Sequence, residues 1–209
     1  MTKVHSLVIN LFDKSAIFLV SGPDKLTKSE LINYFLSSSL KKEQKCIYIN
    51  TNKHYNKIVS LAARAKPEFK KKDLLHIIDV SALNYKHNNK RHISVLKSPK
   101  NLTKISKKLN ELSDAKKILV DNISDFSLHG HGVAESLMDI LSRSKRNGAT
   151  IMVFADDLKD IAHFVNLEIM SDISVHADNG VIHAYGFAEK KFIDKEMKKH
   201  EFYQQHFYS

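Results

Sequence analysis

Five short apolar runs decide what this chain can fold into: "AIFLVSG" (Ala16–Gly22), "KCIYIN" (Lys45–Asn50), "LLHIIDVS" (Leu74–Ser81), "KILVDN" (Lys117–Asn122) and "TIMVFAD" (Thr150–Asp156). Their apolar residues follow one another without alternation, which is the pattern of strands covered on both faces. Between them lie stretches with a helical period. Ser29–Leu40 sets Leu31, Ile32, Phe35, Leu36 and Leu40 on one stripe, and Tyr55–Ala65, Leu102–Leu112 and Val133–Arg146 do the same. Strand and helix in alternation predict an α/β fold, a mostly parallel sheet flanked by helices. A length of 209 residues suits one domain. We read 1–209 as a single unit, with a core over about 16–187 and a charged tail over 188–209.

The last third changes character. "DISVHADNGVIHAYGF" reads as two short strands around Asn179-Gly180, a type I′ hairpin signal, so the sheet is expected to end in an antiparallel hairpin. The tail "AEKKFIDKEMKKHEFYQQHFYS" mixes charges with aromatics and fits either a helix or a strand-like end. "NYKHNNKRH" (Asn84–His92) is polar and reads as a loop.

Composition narrows the classes. Hydrophobic residues make up 43 %, enough for a sizeable core. No apolar run reaches the ~20 residues that a membrane-crossing helix needs. The single cysteine, Cys46, excludes a disulfide framework and a four-cysteine zinc site, and its apolar surroundings read as a buried hydrophobe in a reducing compartment. The N-terminal segment carries Asp13 and Lys14 and shows no small-residue cleavage site, so a cytoplasmic location is expected. The net charge of +10 suits nucleic acid, an anionic surface or an acidic partner. It equally suits solvated surface lysines, because pairs such as Lys41-Lys42, Lys107-Lys108 and Lys116-Lys117 are scattered and arginine is scarce.

One motif carries chemistry. Gly22-Pro23-Asp24-Lys25-Leu26-Thr27-Lys28-Ser29 has the spacing of G-x-x-x-x-G-K-[ST], with Thr27 at the second glycine. It lies between a buried strand ending at Ser21 and a helix expected to start near Lys28. Such a loop wraps backbone N–H groups around phosphates and aims a helix N-terminus at them. Lys28 would neutralise the terminal phosphates and Ser29 would hold Mg²⁺. Thr27, being β-branched, suits those loop conformations poorly. The same residues also fit an ordinary strand-to-helix turn. A second element, "KKILVDN", ends an apolar strand in Asp121, where a carboxylate reaches Mg²⁺ through water. Other features are weaker. "HGH" (His129, Gly130, His131) has no neighbouring carboxylate or cysteine cluster to complete a metal site. Asp125, Asp156 and Asp157 stand at carboxyl ends of strands, which is a place for ligands and also for helix caps.

With these motifs in place, the chain resembles the RecA-superfamily P-loop ATPases, and most of all the KaiC-like branch common in archaea. Four blocks carry the resemblance: "FLVSGPDKLTKSELINYFLSSSLKKEQKCIYINTN", "LLHIIDVSA", "ILVDNISDFSL" and "RNGATIMVFADD". It implies a RecA-like core and a nucleotide site at Gly22, Asp24, Lys25, Thr27, Lys28 and Ser29. ATP and Mg²⁺ are the implied cofactors, the metal being held by Ser29 and Asp121. It also implies self-association as a dimer or hexamer, with Lys190 and Lys191 as the cations that would reach across to a neighbour. The chain departs from the family at Lys25 and Thr27, where glycines are usual. It departs again at Asn52 and Lys53, where one or two glutamates usually polarise the attacking water. Asp13, Glu30 and Asp125 are the carboxylates left as substitutes, and nothing in the sequence singles out one of them as the catalytic base. Three functions follow as expectations. The first is a regulatory or scaffold protein with weak ATP binding and little or no hydrolysis. The second is a recombinase-like accessory factor binding single-stranded DNA. The third is a pseudo-ATPase interaction module that binds no nucleotide.

Overall fold

The protein is described here by a computed structural model, covering residues 13–51, 55–81, 92–96, 98–130, 132–156, 161–178 and 181–186. Its described strands form one eight-stranded sheet. In chain order they are β1 (Ile17–Ser21), β2 (Cys46–Asn50), β3 (Leu75–Asp79), β4 (Ile93–Val95), β5 (Lys117–Val120), β6 (Thr150–Phe154), β7 (Ile173–Asp178) and β8 (Val181–Gly186). The spatial order is β4-β3-β2-β5-β6-β1-β7-β8. The first seven in that order pair in parallel, and β8 runs antiparallel to β7. Every residue of β1, β2, β5 and β6 is buried, which is why these strands read as unbroken apolar runs.

Two separate cores cover the two faces. On one face, α1 (Lys25–Lys41) and α2 (Tyr55–Ala65) lay Leu31, Phe35, Leu36, Ile58 and Ala62 against Phe18, Tyr48 and Ile77. On the other, α3 (Leu102–Glu111), α5 (Val133–Arg146) and α6 (Ile161–Ile169) bring Ile105, Leu109, Leu137, Leu141 and Leu167 against Ile17, Ile49, Ile118 and Ile151. A short helix, α4 (Ser124–Ser127), follows β5 and buries Phe126.

The expected helices over 55–65, 102–112 and 133–146 are present within a residue of their predicted ends. The closing hairpin is present as well: Asp178 lies opposite Val181, so two residues connect the strands, although Asn179-Gly180 themselves fall outside the described residues. So does the tail over 188–209. Three elements had no legible signal. β4 is too short to show a period, α4 is a single turn, and α6 follows an acidic stretch that reads as a loop. Not every lysine is a surface lysine, either. Lys28 and Lys117 are both buried, the latter with its ammonium 3.0 Å from Thr150 Oγ1. Burial, above all, pushes the Lys117 ammonium below the ordinary lysine range.

Candidate nucleotide site

β1 ends at Ser21 and the chain turns at Gly22, whose φ of +106° few side chains tolerate. A Cβ there would sit 2.1 Å from the Ala177 carbonyl oxygen. The same carbonyl accepts a hydrogen bond from Asp24 N at 3.3 Å. The glycine that opens the motif is therefore required by the backbone of β7, which lies against the turn.

The residues after it do not form an open loop. α1 begins at Lys25, three residues before the start expected near Lys28, because Asp24 caps it. Asp24 Oδ1 accepts from Leu26 N and Thr27 N, each at 3.0 Å, and Oδ2 accepts from Thr27 Oγ1 at 2.7 Å. Lys28 N bonds to Asp24 O at 3.1 Å. A helix N-terminus offers unpaired N–H groups and the positive end of the helix dipole. Here the Asp24 carboxylate answers both, and residues 25–28 fold as the first helical turn. Thr27, which sits badly in a phosphate loop, is acceptable in a helix and well used beside a cap.

Lys28 is enclosed. Its Nζ donates to Ala155 O at 3.2 Å and pairs with Asp156 Oδ1 at 3.0 Å. Asp156 Oδ2 accepts from Asn122 Nδ2 at 3.0 Å, and Asn122 Oδ1 accepts from Ser124 N at 3.1 Å. This chain of contacts joins α1 to the carboxyl ends of β5 and β6. Asp121 is fastened to the end of β2: its Oδ1 accepts from Thr51 N at 2.9 Å and from Thr51 Oγ1 at 2.8 Å. Tyr48, buried beneath, has its hydroxyl pushed well above the ordinary tyrosine range by burial first and by the Asp121 charge second.

Of the residues the sequence singles out, Lys25, Lys28, Ser29 and Asp121 line one cavity of about 240 Å³, together with Asn122 and Asp156. Gly22, Asp24 and Thr27 form the adjoining turn and cap and are not among its described lining residues. Asp13 is elsewhere: it pairs with Lys42 and lies 3.9 Å from the ammonium of Lys117, whose residue opens β5 at the end opposite Asp121. Glu30 follows Ser29 in α1, and Asp125 sits in the single turn of α4. Asn52, Lys53, His131, Asp157, Lys190 and Lys191 lie outside the described residues. Among the described residues, no three His, Cys, Asp or Glu side chains cluster so as to hold a metal, and no helix is long and apolar enough to cross a membrane. Thr51 and Asn122, which hold the two aspartates, had no signal in the sequence. Their roles depend on partners 70 and 34 residues away.

Comparison with known proteins agrees with this architecture. One solved structure of the same fold is a KaiC-like protein of the hyperthermophilic archaeon Pyrococcus horikoshii. It superposes with a TM-score of 0.55 at 14 % identity, over 82 % of this chain and 77 % of that one. At that identity the likeness concerns the fold. No curated protein matches the sequence. The family model described as "ATPase: KaiC" matches residues 6–184, most of the chain. The chain therefore shares the family's parallel α/β fold and belongs to the KaiC ATPase family, the KaiC-like branch of the RecA-superfamily P-loop ATPases.

Proposed function

We propose that this chain is a pseudo-ATPase of the KaiC family, a scaffold that works through a protein partner and neither hydrolyses nor usefully binds ATP. KaiC-like ATPases typically bind ATP with Mg²⁺, so the residues present have to be weighed against that ligand. The observation that carries the reading is the Asp24 cap. A phosphate at this helix end would need the N–H groups of residues 26 and 27, and both already donate to Asp24. Phosphate and carboxylate would then compete as like charges for one positive helix end. The Lys28 charge is matched by Asp156, and Asp121 Oδ1 already takes two hydrogen bonds from Thr51. A triphosphate does not fit this donor set without displacing the Asp24 carboxylate. Asn52 and Lys53, in place of the usual glutamates, point the same way, since general-base catalysis is typically worth ~10²–10⁴-fold. On this reading, any dimer or hexamer of the chain is insensitive to ATP.

Weak nucleotide binding is the second reading. It is favoured by Lys25, an exposed cation at the mouth of the cavity beside Ser29. Titration calorimetry with a non-hydrolysable ATP analogue and Mg²⁺ decides between them. Wild type is expected to give no saturable heat up to ~1 mM, meaning binding weaker than about −4.1 kcal/mol. Saturation below ~100 μM that disappears in Lys28→Ala would establish weak binding and overturn the proposal.

A further inference from the structure

The positive charge of the chain gathers at one end of the sheet. The parallel strands start at that end, and the helices that precede them finish there. Five exposed cations stand at it without an ion pair among the described residues: Lys41 ahead of β2, Lys70 and Lys71 ahead of β3, Lys116 ahead of β5 and Arg146 ahead of β6. Backbone hydrogen bonds lace these connections into one rim. Cys46 N donates to Leu74 O at 2.8 Å, Lys116 N to Lys45 O at 2.9 Å and Thr150 N to Lys116 O at 2.9 Å. Lys116 Nζ would lie 3.9 Å from a Cβ at Gly148, so it sits beside the turn that carries Arg146. The strands follow in the order β3-β2-β5-β6. At ~4.8 Å between neighbours the rim is roughly 14 Å long.

The carboxylates Asp13, Glu43, Asp114 and Asp172 at this end each already face a lysine. Asp73 joins no ion pair among the described residues, and it alone does not offset the surplus. A cation in the last turn of a helix also offsets the helix dipole, which accounts for Lys41 and Arg146 but not for Lys71 or Lys116. At the opposite end Asp24, Asp121, Asp125 and Asp156 stand among Lys25 and Lys28, and no comparable surplus of cations arises there.

We propose that this rim binds the phosphate backbone of duplex nucleic acid, whatever its sequence. Three features select that occupant. A row of cations from successive strands matches a linear polyanion, and a duplex offers one phosphate charge per ~1.7 Å of its axis. The connections that form the rim expose no large apolar side chain, whereas a protein interface has an apolar core and a membrane-bound surface buries apolar groups among the lipids. No Phe or Tyr is exposed among the side chains described, whereas proteins that grip a single strand stack its bases on aromatic rings. The inference goes beyond the scaffold reading and does not depend on it, because the rim lies at the end of the sheet opposite the Gly22 turn.

The test is fluorescence anisotropy on the full chain with a fluorescein-labelled duplex DNA of about 20 base pairs, between about 50 and 200 mM KCl. Two unrelated sequences are expected to bind saturably and alike. The slope of log K against log salt should be about −2 to −4.5, the mark of about two to five phosphate contacts. Lys71→Glu/Lys116→Glu should weaken binding at least about ten-fold. The charge-matched control Lys57→Glu/Lys104→Glu alters exposed lysines in the first turns of α2 and α3, at the far end of the sheet, and should change binding less than about three-fold. Lys57, with Arg64, lines a groove of about 540 Å³ between α1 and α2 that shares no lining residue with the rim. Circular dichroism confirms that both double variants are folded. Absence of duplex binding overturns the proposal. Equal loss in both variants also overturns it, since that is the mark of diffuse attraction to a basic protein. So does a single-stranded oligonucleotide that binds more tightly than the duplex, or phosphatidylserine vesicles that displace the duplex at equal phosphate concentration. The calorimetric test with ATP is independent: saturable heat there would remove the pseudo-ATPase reading and leave the duplex result standing, and the converse holds.

Discussion

Two basic places lie side by side on α1 and its neighbour, and they have opposite fates. Lys28 stands where the motif's spacing leads one to expect a phosphate-binding lysine, yet its side chain is 9 % exposed and its charge is met by Asp156 and a backbone carbonyl. Lys57 and Arg64 stand in the adjoining groove, exposed and without an ion pair among the described residues. The difference teaches that a motif residue can become part of the architecture, while residues outside any motif keep their charge exposed.

The largest test of this contrast is at the turn. Gly22→Ala would press a Cβ into the Ala177 carbonyl at a φ that alanine resists. Strained backbone and overpacking together are expected to cost roughly 2–5 kcal/mol, read by urea denaturation. A near-neutral result would show that the turn yields, and with it the view that β7 rather than a ligand demands the glycine.

The Lys28–Asp156 pair should respond unequally to the loss of each partner. Asp156 is 57 % exposed and can be hydrated alone, whereas Lys28 cannot. Asp156→Ala is therefore expected to cost about 1–2 kcal/mol, below the figure for a fully buried pair, and Lys28→Met less than about 0.5 kcal/mol. Equal costs would mean that Lys28 reaches water, as a nucleotide-binding lysine must.

Acid offers a further control, because its main effect should arise away from both places. His76, hydrogen-bonded to Ser94 at 2.9 Å across the β3–β4 edge, has its pKa lowered to about 4, first by burial and then by Lys108. The unfolded chain, with His near 6.5, binds the proton first as pH falls. Stability is then full above about pH 6.5 and is lost on the way down to about 4, by on the order of 1 kcal/mol after allowance for partial exposure. The His76→Gln variant should lack this limb in a pH series of thermal melts.

The smallest effect belongs to the groove. Lys57→Ala and Arg64→Ala should each alter stability by less than about 0.5 kcal/mol, as expected of exposed side chains that join no ion pair among the described residues. A larger loss would show that these cations already serve the fold.

The fold was legible because its signals are local. The unbroken apolar runs at 17–21 and 150–154, and the stripes on α2 and α5, declare themselves within a few residues. Motif spacing also brought Lys28, Ser29 and Asp121 to one cavity. What the sequence left open was the state of that cavity. Asp24 has an ordinary reading as a helix cap, but the loop pattern of Gly22 to Ser29 competes with it, and only the geometry of α1 decides between them. The partner of Lys28 is 128 residues away, beyond the range of any local pattern.

The position of β1 has a consequence for how the protein is made. This strand lies between β6 and β7, and Ile17 pairs with Ile151 while Phe18 pairs with Ile173. At ~5–20 residues per second a ribosome needs roughly 7–27 s to supply the first of those partners. Until then a strand of four apolar residues and a serine waits in the nascent chain without its β6 and β7 partners. β2 and β3, separated by one helical crossover, have no such delay. The part of the finished sheet around β1 is thus among the last to close, and the interval before it closes is when a chaperone has most to offer this chain.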